Sequence, residues 1–239
     1  MSHFSVAVFV PEPEYVDRTL APYSQDDRDY YEKVEYMTKE DYIRMYRDNH
    51  GDTQLTDEEI WTIHAPQDYE IVDLEEGMIY EWYNPNAMWD WYEIGGRWRQ
   101  SLCIPKDAES VGGLAPRKQY AQRGKRRWAN GARIKDVDWA KVNKANCTQF
   151  KELSKKWEEL MSLPEESWTR KRALSRYGTK EEYIMLSSLY APYAFINPDD
   201  DCWYDEDSTP FKEYIHDFYE IIHNPYYKDW WIVIVDCHM

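Results

Sequence analysis

The two ends of the chain carry its most continuous apolar runs. Residues 4–10 have the sequence FSVAVFV and residues 230–237 have the sequence WWIVIVDC. Short apolar runs without polar alternation are typical of strands that are buried on both faces. Pro11 ends the first run, because proline cannot continue a hydrogen-bonded ladder. We therefore predict that the first and last strands are neighbours in the middle of one sheet.

Apolar side chains recur with helical spacing in several segments, most of which follow a capping residue. Thr38 precedes one, and Thr56 with Glu59 forms a capping-box pattern before a short helix that Pro66 is expected to end. Longer helices are predicted at residues 39–47, 139–161, 180–189 and 210–223. A short strand is predicted at 193–196, and weaker strand candidates lie at 69–74 and 78–83.

These elements predict an α+β fold. We expect one domain over residues 1–239, with a mostly antiparallel sheet, its terminal strands central and helices packed on it. Residues 106–176 are expected to form a basic, helical subdomain or insertion within that domain.

Residues 82–99 are the most aromatic stretch, with four tryptophans, a Gly-Gly pair and two arginines. Side chains from Trp89 to Ile94 alternate with a period of two, which predicts a strand. Gly95 and Gly96 then predict a hairpin turn into a second strand, because glycine takes positive φ without steric cost. The same pair could instead let another backbone or a ligand approach closely.

This aromatic stretch is also the first candidate for a ligand site. Indole faces beside guanidinium groups can stack on a base and bind a phosphate or a carboxylate. The candidate residues are Trp89, Trp91, Gly95, Gly96, Arg97, Trp98 and Arg99. The alternative is structural, with the tryptophans in the core and the arginines paired with the chain's own carboxylates.

The net charge of −16 is distributed unevenly. Residues 106–135 hold nine basic and two acidic side chains, whereas both ends of the chain are acidic. Because this basic run lacks apolar periodicity, we predict an exposed loop or flap in which Arg123, Arg126 and Arg127 bind phosphate or an acidic partner. Alternatively, the run neutralises the acidic body of the same chain. The acidic ends repel nucleic acid, so direct DNA binding is not expected.

Several classes of protein have no support in the sequence. Neither GxGxxG nor GxxxxGK[ST] occurs, so we expect no nucleotide cofactor and no other cofactor. There is no apolar run of about 18 residues and no basic leader at the start, so a cytoplasmic protein without a membrane segment is expected. The four cysteines are widely spaced, which favours reduced thiols over a zinc site or a disulfide scaffold.

Residues with chemical potential lie at the two termini. The chain ends with Asp236, Cys237, His238 and a methionine. If the terminal strands pair in one register, His3 approaches this end. A Cys-His pair could act as nucleophile and base, and the histidines with Asp236 could ligate a metal. The alternative is that these residues only end their strands, since Cys237 and His238 lie on opposite faces.

A second, weaker metal candidate is the acidic turn formed by Asp199, Asp200 and Asp201. Adjacent carboxylates can hold a hard cation through oxygen ligands, although the spacing is not that of an EF-hand loop.

Several short motifs resemble a family of phage and prophage proteins for which no activity is known. Its members begin MSHFTV, carry an aromatic WYxxGGRW element and end in VDCH; the matching residues here are 1–6, 89–98 and 235–238. Residues 132–139 and 193–198 are also similar, although an Asp-Asp-Asp turn replaces the family's usual Asp-Gly. The resemblance implies a phage-related source and a bacterial cytoplasm, and it implies no catalytic residue.

The leading functional hypothesis is therefore a non-enzymatic phage accessory protein of the counter-defence type, which inhibits or sequesters a host component. Its partner would be a host bacterial protein bound through the acidic surface, or a small nucleotide ligand bound as by a sponge. The contrasting hypothesis is an enzyme that acts on a small nucleotide, with a site formed by His3, Asp236, Cys237 and His238.

Overall fold

The computed structural model describes residues 2–51, 54–112, 124–146 and 150–239. Its strands are β1 (His3–Val10), β2 (Glu32–Thr38), β3 (Ile71–Asp73), β4 (Met78–Tyr83), β5 (Trp91–Ile94), β6 (Leu102–Pro105), β7 (Arg126–Ala129), β8 (Gly131–Arg133), β9 (Ala194–Ile196), β10 (Trp203–Asp205) and β11 (Trp231–His238). Its helices are α1 (Val16–Leu20), α2 (Lys39–His50), α3 (Asp57–Glu59), α4 (Ala65–Asp68), α5 (Trp139–Asn146), α6 (Phe150–Ser162), α7 (Trp168–Tyr177), α8 (Lys180–Ser187) and α9 (Phe211–His223).

The chain forms two compact units, a larger one of residues 1–21 with 89–239 and a smaller one of residues 22–88. The sheet of the larger unit has the strand order β10-β9-β1-β11-β5, and β8 also pairs with β11. The β1–β9 pair is parallel, and the other pairs in this sheet are antiparallel. The predicted α+β class, with neighbouring terminal strands at the centre of the sheet, is confirmed.

The terminal strands lie at the centre because both of their faces are covered. On one face, the rings of Phe9 and Phe195 pack against Phe218 of α9. On the other face, α1 packs on β1 and buries Val16 and Leu20. Burying one such large apolar side chain contributes roughly 1.5–3 kcal/mol, so this double coverage explains why both runs are apolar at every position in their middle.

The predicted hairpin in residues 82–99 is wrong. β5 pairs with β11, and the chain then makes a short 3₁₀ turn at Gly96–Trp98 instead of folding back as a strand. Gly95 and Gly96 have φ values of 78° and 41°, and this left-handed backbone directs the chain away from β5. All four residues of β5 pair with Val235–His238 of the buried strand β11.

The described part of the basic segment, residues 106–112 and 124–135, includes strands where the sequence predicted a loop or flap. Residues 126–129 form β7, which pairs with β6, and residues 131–133 form β8, which pairs with β11. The segment therefore belongs to the larger unit and contributes to its main sheet. Arg123 and the rest of residues 113–123 lie outside the described residues.

The smaller unit is a three-stranded sheet, ordered β2-β4-β3, that packs against helices. Its core contains Tyr42, Tyr46, Ile60, Trp61, Ala65 and Ile79. The predicted caps are confirmed, since the Thr38 side chain accepts a hydrogen bond from the Asp41 N–H and Thr56 with Glu59 forms a complete capping box.

The prediction that Pro66 ends the helix in this unit is wrong. A π-helical turn at Ile60–His64 leads into α4, and Pro66 lies in the first turn of α4. Proline is tolerated in a first turn because no backbone hydrogen bond is lost there.

The long helix predicted at residues 139–161 is observed as α5 and α6, and residues 147–149 between them lie outside the described residues. Helix α7 was not predicted, because Ala173 is its only buried residue and its apolar periodicity is therefore weak. None of the helices in the described ranges has the length and apolar composition needed to cross a bilayer.

Candidate functional site

The paired ends of β1 and β11 bring the terminal polar residues together. In the antiparallel register His3 is opposite His238, and on the other side of β11 Trp91 of β5 is opposite the same histidine. Directly paired residues share one face of a sheet, so these three side chains and Asp236 lie on the same face. Deeper positions of that face, such as Phe9, belong to the core. The polar cluster therefore lies at the end of the core face.

His3 and Asp236 form the first of two histidine–carboxylate pairs. His3 Nδ1 lies 2.9 Å from Asp236 Oδ1, and the backbone N–H of Arg97 donates to Asp236 Oδ2 at 2.8 Å. The Asp236 side chain is only 3% exposed. A buried carboxylate needs partners of this kind, and here two donors hold its orientation.

Gly96 makes the contact between Arg97 and Asp236 possible. A Cβ atom at Gly96 would overlap the Asp236 side chain, and the residue has a φ of +41°. Only glycine combines this backbone conformation with so close an approach. The Gly-Gly pair thus serves the close-approach role that the sequence left open as an alternative to a turn.

His238 and Asp90 form the second pair. His238 Nδ1 lies 2.7 Å from Asp90 Oδ1 and 3.0 Å from Asp90 Oδ2. The backbone N–H of Trp91 also donates to Asp90 Oδ1, at 2.7 Å. The hydrogen bond from His238 is the main cause that lowers the pKa of the Asp90 carboxyl below its usual value.

Both pairs determine which ring nitrogen carries a proton. An ionised carboxylate only accepts hydrogen bonds, so Nδ1 of each histidine is the donor. In a neutral imidazole, Nε2 of each ring is then the atom with a free lone pair. The two carboxylates therefore orient two potential bases or ligand atoms.

The rings of this cluster contact one another. The centroids of His3 and His238 are 5.0 Å apart with an interplanar angle of 73°, and Trp91 stacks on His238 at 5.3 Å and 20°. Trp91 is 45% exposed, so solvent reaches this edge of the cluster. We call His3, Asp90, Trp91, Asp236 and His238 the twin-histidine site.

The Cys237 thiol is not part of the twin-histidine site. It follows Asp236 on the opposite face of β11, where it is completely buried. Burial raises the pKa of this thiol far above its usual value, so the reactive thiolate is not formed near neutral pH. The hypothesis of a Cys-His nucleophile pair is wrong for this structure, because the two side chains lie on different faces of the sheet.

Several other candidate residues have structural roles. Trp89 is buried and its Nε1–H donates to the Leu20 carbonyl at 3.3 Å, and Trp98 packs against the main core. Arg126 pairs with Asp138 at 3.3 Å, and the Arg127 guanidinium donates to Ser110 Oγ at 2.7 Å. For these residues the structural alternative agrees with the observed contacts.

Of the arginines in the aromatic stretch, Arg97 is exposed and Arg99 is half-buried. The Arg99 Nε atom has no hydrogen-bond partner within the part of the chain that the structure describes. The acidic turn at Asp199, Asp200 and Asp201 is exposed and connects β9 to β10. Its first carboxylate accepts a hydrogen bond from the Tyr227 hydroxyl.

Within the described residues, the one cluster of three side chains with metal-ligand atoms close together is His216, Asp217 and Glu220. His216 and Glu220 are exposed, and all three residues lie on α9.

Asp90 was not identified from the sequence. It precedes Trp91 in an alternating strand pattern, where it has the position of an ordinary solvent-facing residue. Its role becomes visible only once β5 is known to pair with β11, because that pairing places Asp90 beside His238.

The fold and the site together define an α+β protein that holds two carboxylate-anchored imidazoles at paired strand ends. Comparisons with protein-family models, curated proteins and solved structures found no match for this chain. The functional argument therefore depends on the chemistry of the twin-histidine site.

Proposed function

We propose that this protein is an enzyme that cleaves a phosphate ester in a small nucleotide-like ligand by general acid–base catalysis at the twin-histidine site. The observation that carries the proposal is the placement of two imidazoles 5.0 Å apart, each anchored through Nδ1 by its own carboxylate. General acid–base catalysis needs two such groups, with correct orientation and a protonation change near neutral pH.

The two histidines have complementary roles in this proposal. One neutral imidazole accepts a proton from water at Nε2 while the water oxygen attacks phosphorus. The other ring, as imidazolium, donates its Nε2 proton to the leaving oxygen as the P–O bond breaks. Asp236 and Asp90 stabilise the charged form of their respective rings and hold the tautomers.

Trp91 and Arg97 support a ligand with an aromatic base and a phosphate. Trp91 is exposed at the rim of the site, and an indole can stack on a base. Arg97 is also exposed. Its backbone N–H donates to Asp236, so the Arg97 side chain branches from the backbone at the edge of the twin-histidine site. A guanidinium binds phosphate oxygens in a bidentate manner.

The test is a hydrolysis assay on the full chain with bis(p-nitrophenyl) phosphate and a set of cyclic and linear dinucleotides. We expect a bell-shaped pH profile, and a rate lower by about 10²–10⁴-fold in both His3→Asn and His238→Asn. The matched control is His223→Asn, which changes an exposed histidine on α9 and leaves the rate unaltered. The proposal is wrong if the wild-type chain hydrolyses none of these esters, or if both site variants retain the full rate.

A second candidate function is transition-metal binding at the same site. Metal-ligating histidines usually donate their other ring N–H to a carboxylate, and both His3 and His238 have this arrangement. Titration with Zn²⁺ and Co²⁺ measures whether the site binds a metal, and a chelator then separates metal-dependent hydrolysis from hydrolysis by the two imidazoles alone. A metal enzyme loses activity with a chelator and regains it with Zn²⁺, whereas hydrolysis by the two imidazoles alone is insensitive to chelation.

The hypothesis of a phage accessory protein that inhibits a host component remains a prediction based on sequence resemblance and acidity. Its nucleotide-sponge version is tested by Arg97→Ala. If nucleotide binding measured by calorimetry is unchanged in that variant, Arg97 does not hold the phosphate.

A further inference from the structure

The smaller unit contains a cleft whose lining includes no residue of the twin-histidine site. The cleft has a volume of about 690 Å³. Its lining includes the rings of Tyr69, Tyr80 and Trp82 and the carboxylates of Asp68, Glu70 and Glu81. This volume is in the range that holds a small ligand or a few side chains of a partner.

The charge of the smaller unit is strongly negative. Residues 22–88 contain 18 acidic and five basic side chains, so this unit carries −13 of the chain's net −16. Among the described residues that line the cleft, one is basic, Arg28, and three are acidic. Burial is the main cause that raises the pKa of Tyr69, and the neighbouring Glu81 carboxylate adds to the rise, which agrees with a negative environment in the cleft. A cleft with this charge balance attracts a cation and repels an anion.

The aromatic rings of the cleft also favour a cation. Lys33 Nζ lies 3.8 Å above the centroid of the Tyr80 ring, so this ring already holds an ammonium group of the same chain. Trp82 is 55% exposed, and indole is the strongest of the aromatic cation–π partners. The pKa of Tyr80 is raised to about 12, mainly by its hydrogen bond to Glu76, and this agrees with a negative environment.

The aromatic surface extends beyond the cleft. The ring of Tyr36 lies 5.7 Å from that of Tyr69, and Tyr36 and Tyr83 are both exposed. Exposed aromatic side chains of this kind are enriched at protein–protein interfaces. The surface is therefore wider than a free small cation requires.

We propose that this acidic aromatic cleft binds an arginine side chain presented by a basic segment of a partner protein. The aromatic rings of the lining offer faces for a planar guanidinium, and the lining carboxylates of Glu70 and Glu81 offer acceptors for its N–H groups. This inference does not depend on the proposed enzymatic function, because no residue of the twin-histidine site takes part in it.

The test is calorimetric titration of the full chain with an acetylated, amidated hexa-arginine peptide at about 0.15 M salt. Trp82→Ala and Glu81→Gln are each expected to raise the Kd about tenfold. The matched controls are Trp168→Ala, an exposed tryptophan in the larger unit, and Glu40→Gln, an exposed carboxylate on α2 outside the cleft. Both controls are expected to leave the Kd unchanged.

Three results would overturn the proposal. If Glu40→Gln weakens binding as much as Glu81→Gln, the peptide responds to the general negative field. If hexa-lysine binds as tightly as hexa-arginine, guanidinium stacking is not involved. If free argininamide binds as tightly as the peptide, the cleft takes a small cation instead of a protein segment.

Discussion

His3 and His238 face each other across the β1–β11 pair, with ring centroids 5.0 Å apart and a different carboxylate on each Nδ1. They are near opposite ends of the chain, so the site exists only when the first and last strands are paired. The backbone groups of Ser2 and Met239 also hydrogen-bond to each other and close the end of the ladder. Site geometry and the folding of the central sheet are therefore coupled.

Gly96→Ala is predicted to destabilise the larger unit by about 3 kcal/mol or more, because the new Cβ overlaps the Asp236 side chain at a positive φ. The matched control is Gly178→Ala. Gly178 has a φ of +69°, and its nearest neighbour is the flexible end of Glu182. We expect a cost of about 1 kcal/mol there, from the backbone alone. Urea unfolding measures the free energy of unfolding that each variant loses. Equal losses in the two variants would contradict the close approach of Gly96 to Asp236.

The pKa of the Asp90 carboxyl is predicted to lie below the usual value of an aspartate and to rise toward that usual value in His238→Ala, since the His238 hydrogen bond is the main cause of the lowering. Carboxyl ¹³C NMR titration measures this shift. His223→Ala is the control and should leave Asp90 unaffected. An Asp90 titration that is the same in wild type and His238→Ala would show that the pair does not form in solution.

The same shift predicts a pH dependence of stability. A carboxyl with a lowered pKa in the folded state stabilises that state above the pKa of the unfolded chain, and this contribution disappears as the pH falls through the folded-state pKa. The difference in urea midpoint between wild type and Asp90→Asn should therefore be largest above about pH 5 and vanish in strong acid. A midpoint difference that grows toward low pH would contradict the predicted direction of the pH dependence.

The cysteines are predicted to differ in reactivity because Cys103 and Cys237 are buried and Cys202 is exposed. Cys147 lies outside the described residues, so the measurement is made on a Cys147→Ser background. With a disulfide reagent at about pH 8, we expect one fast thiol that Cys202→Ser removes. Fast reaction of Cys237 in the folded protein would show that β11 is not packed as described.

Thr56→Ala is predicted to destabilise the smaller unit by about 1 kcal/mol, because Thr56 and Glu59 satisfy each other's backbone N–H groups. Thr56→Ser keeps the hydroxyl and should restore most of the loss. Thr62→Ser is a control, since Thr62 is exposed inside the helical segment and its hydroxyl, which donates to the Glu58 carbonyl at 2.7 Å, is kept in the variant. Urea unfolding followed by tryptophan fluorescence reports these differences through the buried Trp61.

Features that depend on neighbouring residues could be predicted from the sequence. Capping at Thr38 and Thr56 needs only a side-chain oxygen and an N–H three residues later. The terminal strands were recognisable because a strand that is covered on both faces must be apolar at successive positions. Their pairing followed from the same requirement, and it brought His3 close to Asp236 and His238 as one register allowed.

The sequence by itself thus determined the α+β class and the central terminal strands, and it named four of the five residues of the twin-histidine site as candidates, all except Asp90. The tertiary structure alone decided that β5 pairs with β11, that Asp90 anchors His238 and that Gly96 accommodates Asp236. It also decided that Arg126 and Arg127 bind partners within their own chain. The physical reason is that helix caps and strand periodicity are set within a few residues. The choice of a strand partner, in contrast, depends on burial and unpaired edges contributed by segments far away in the sequence.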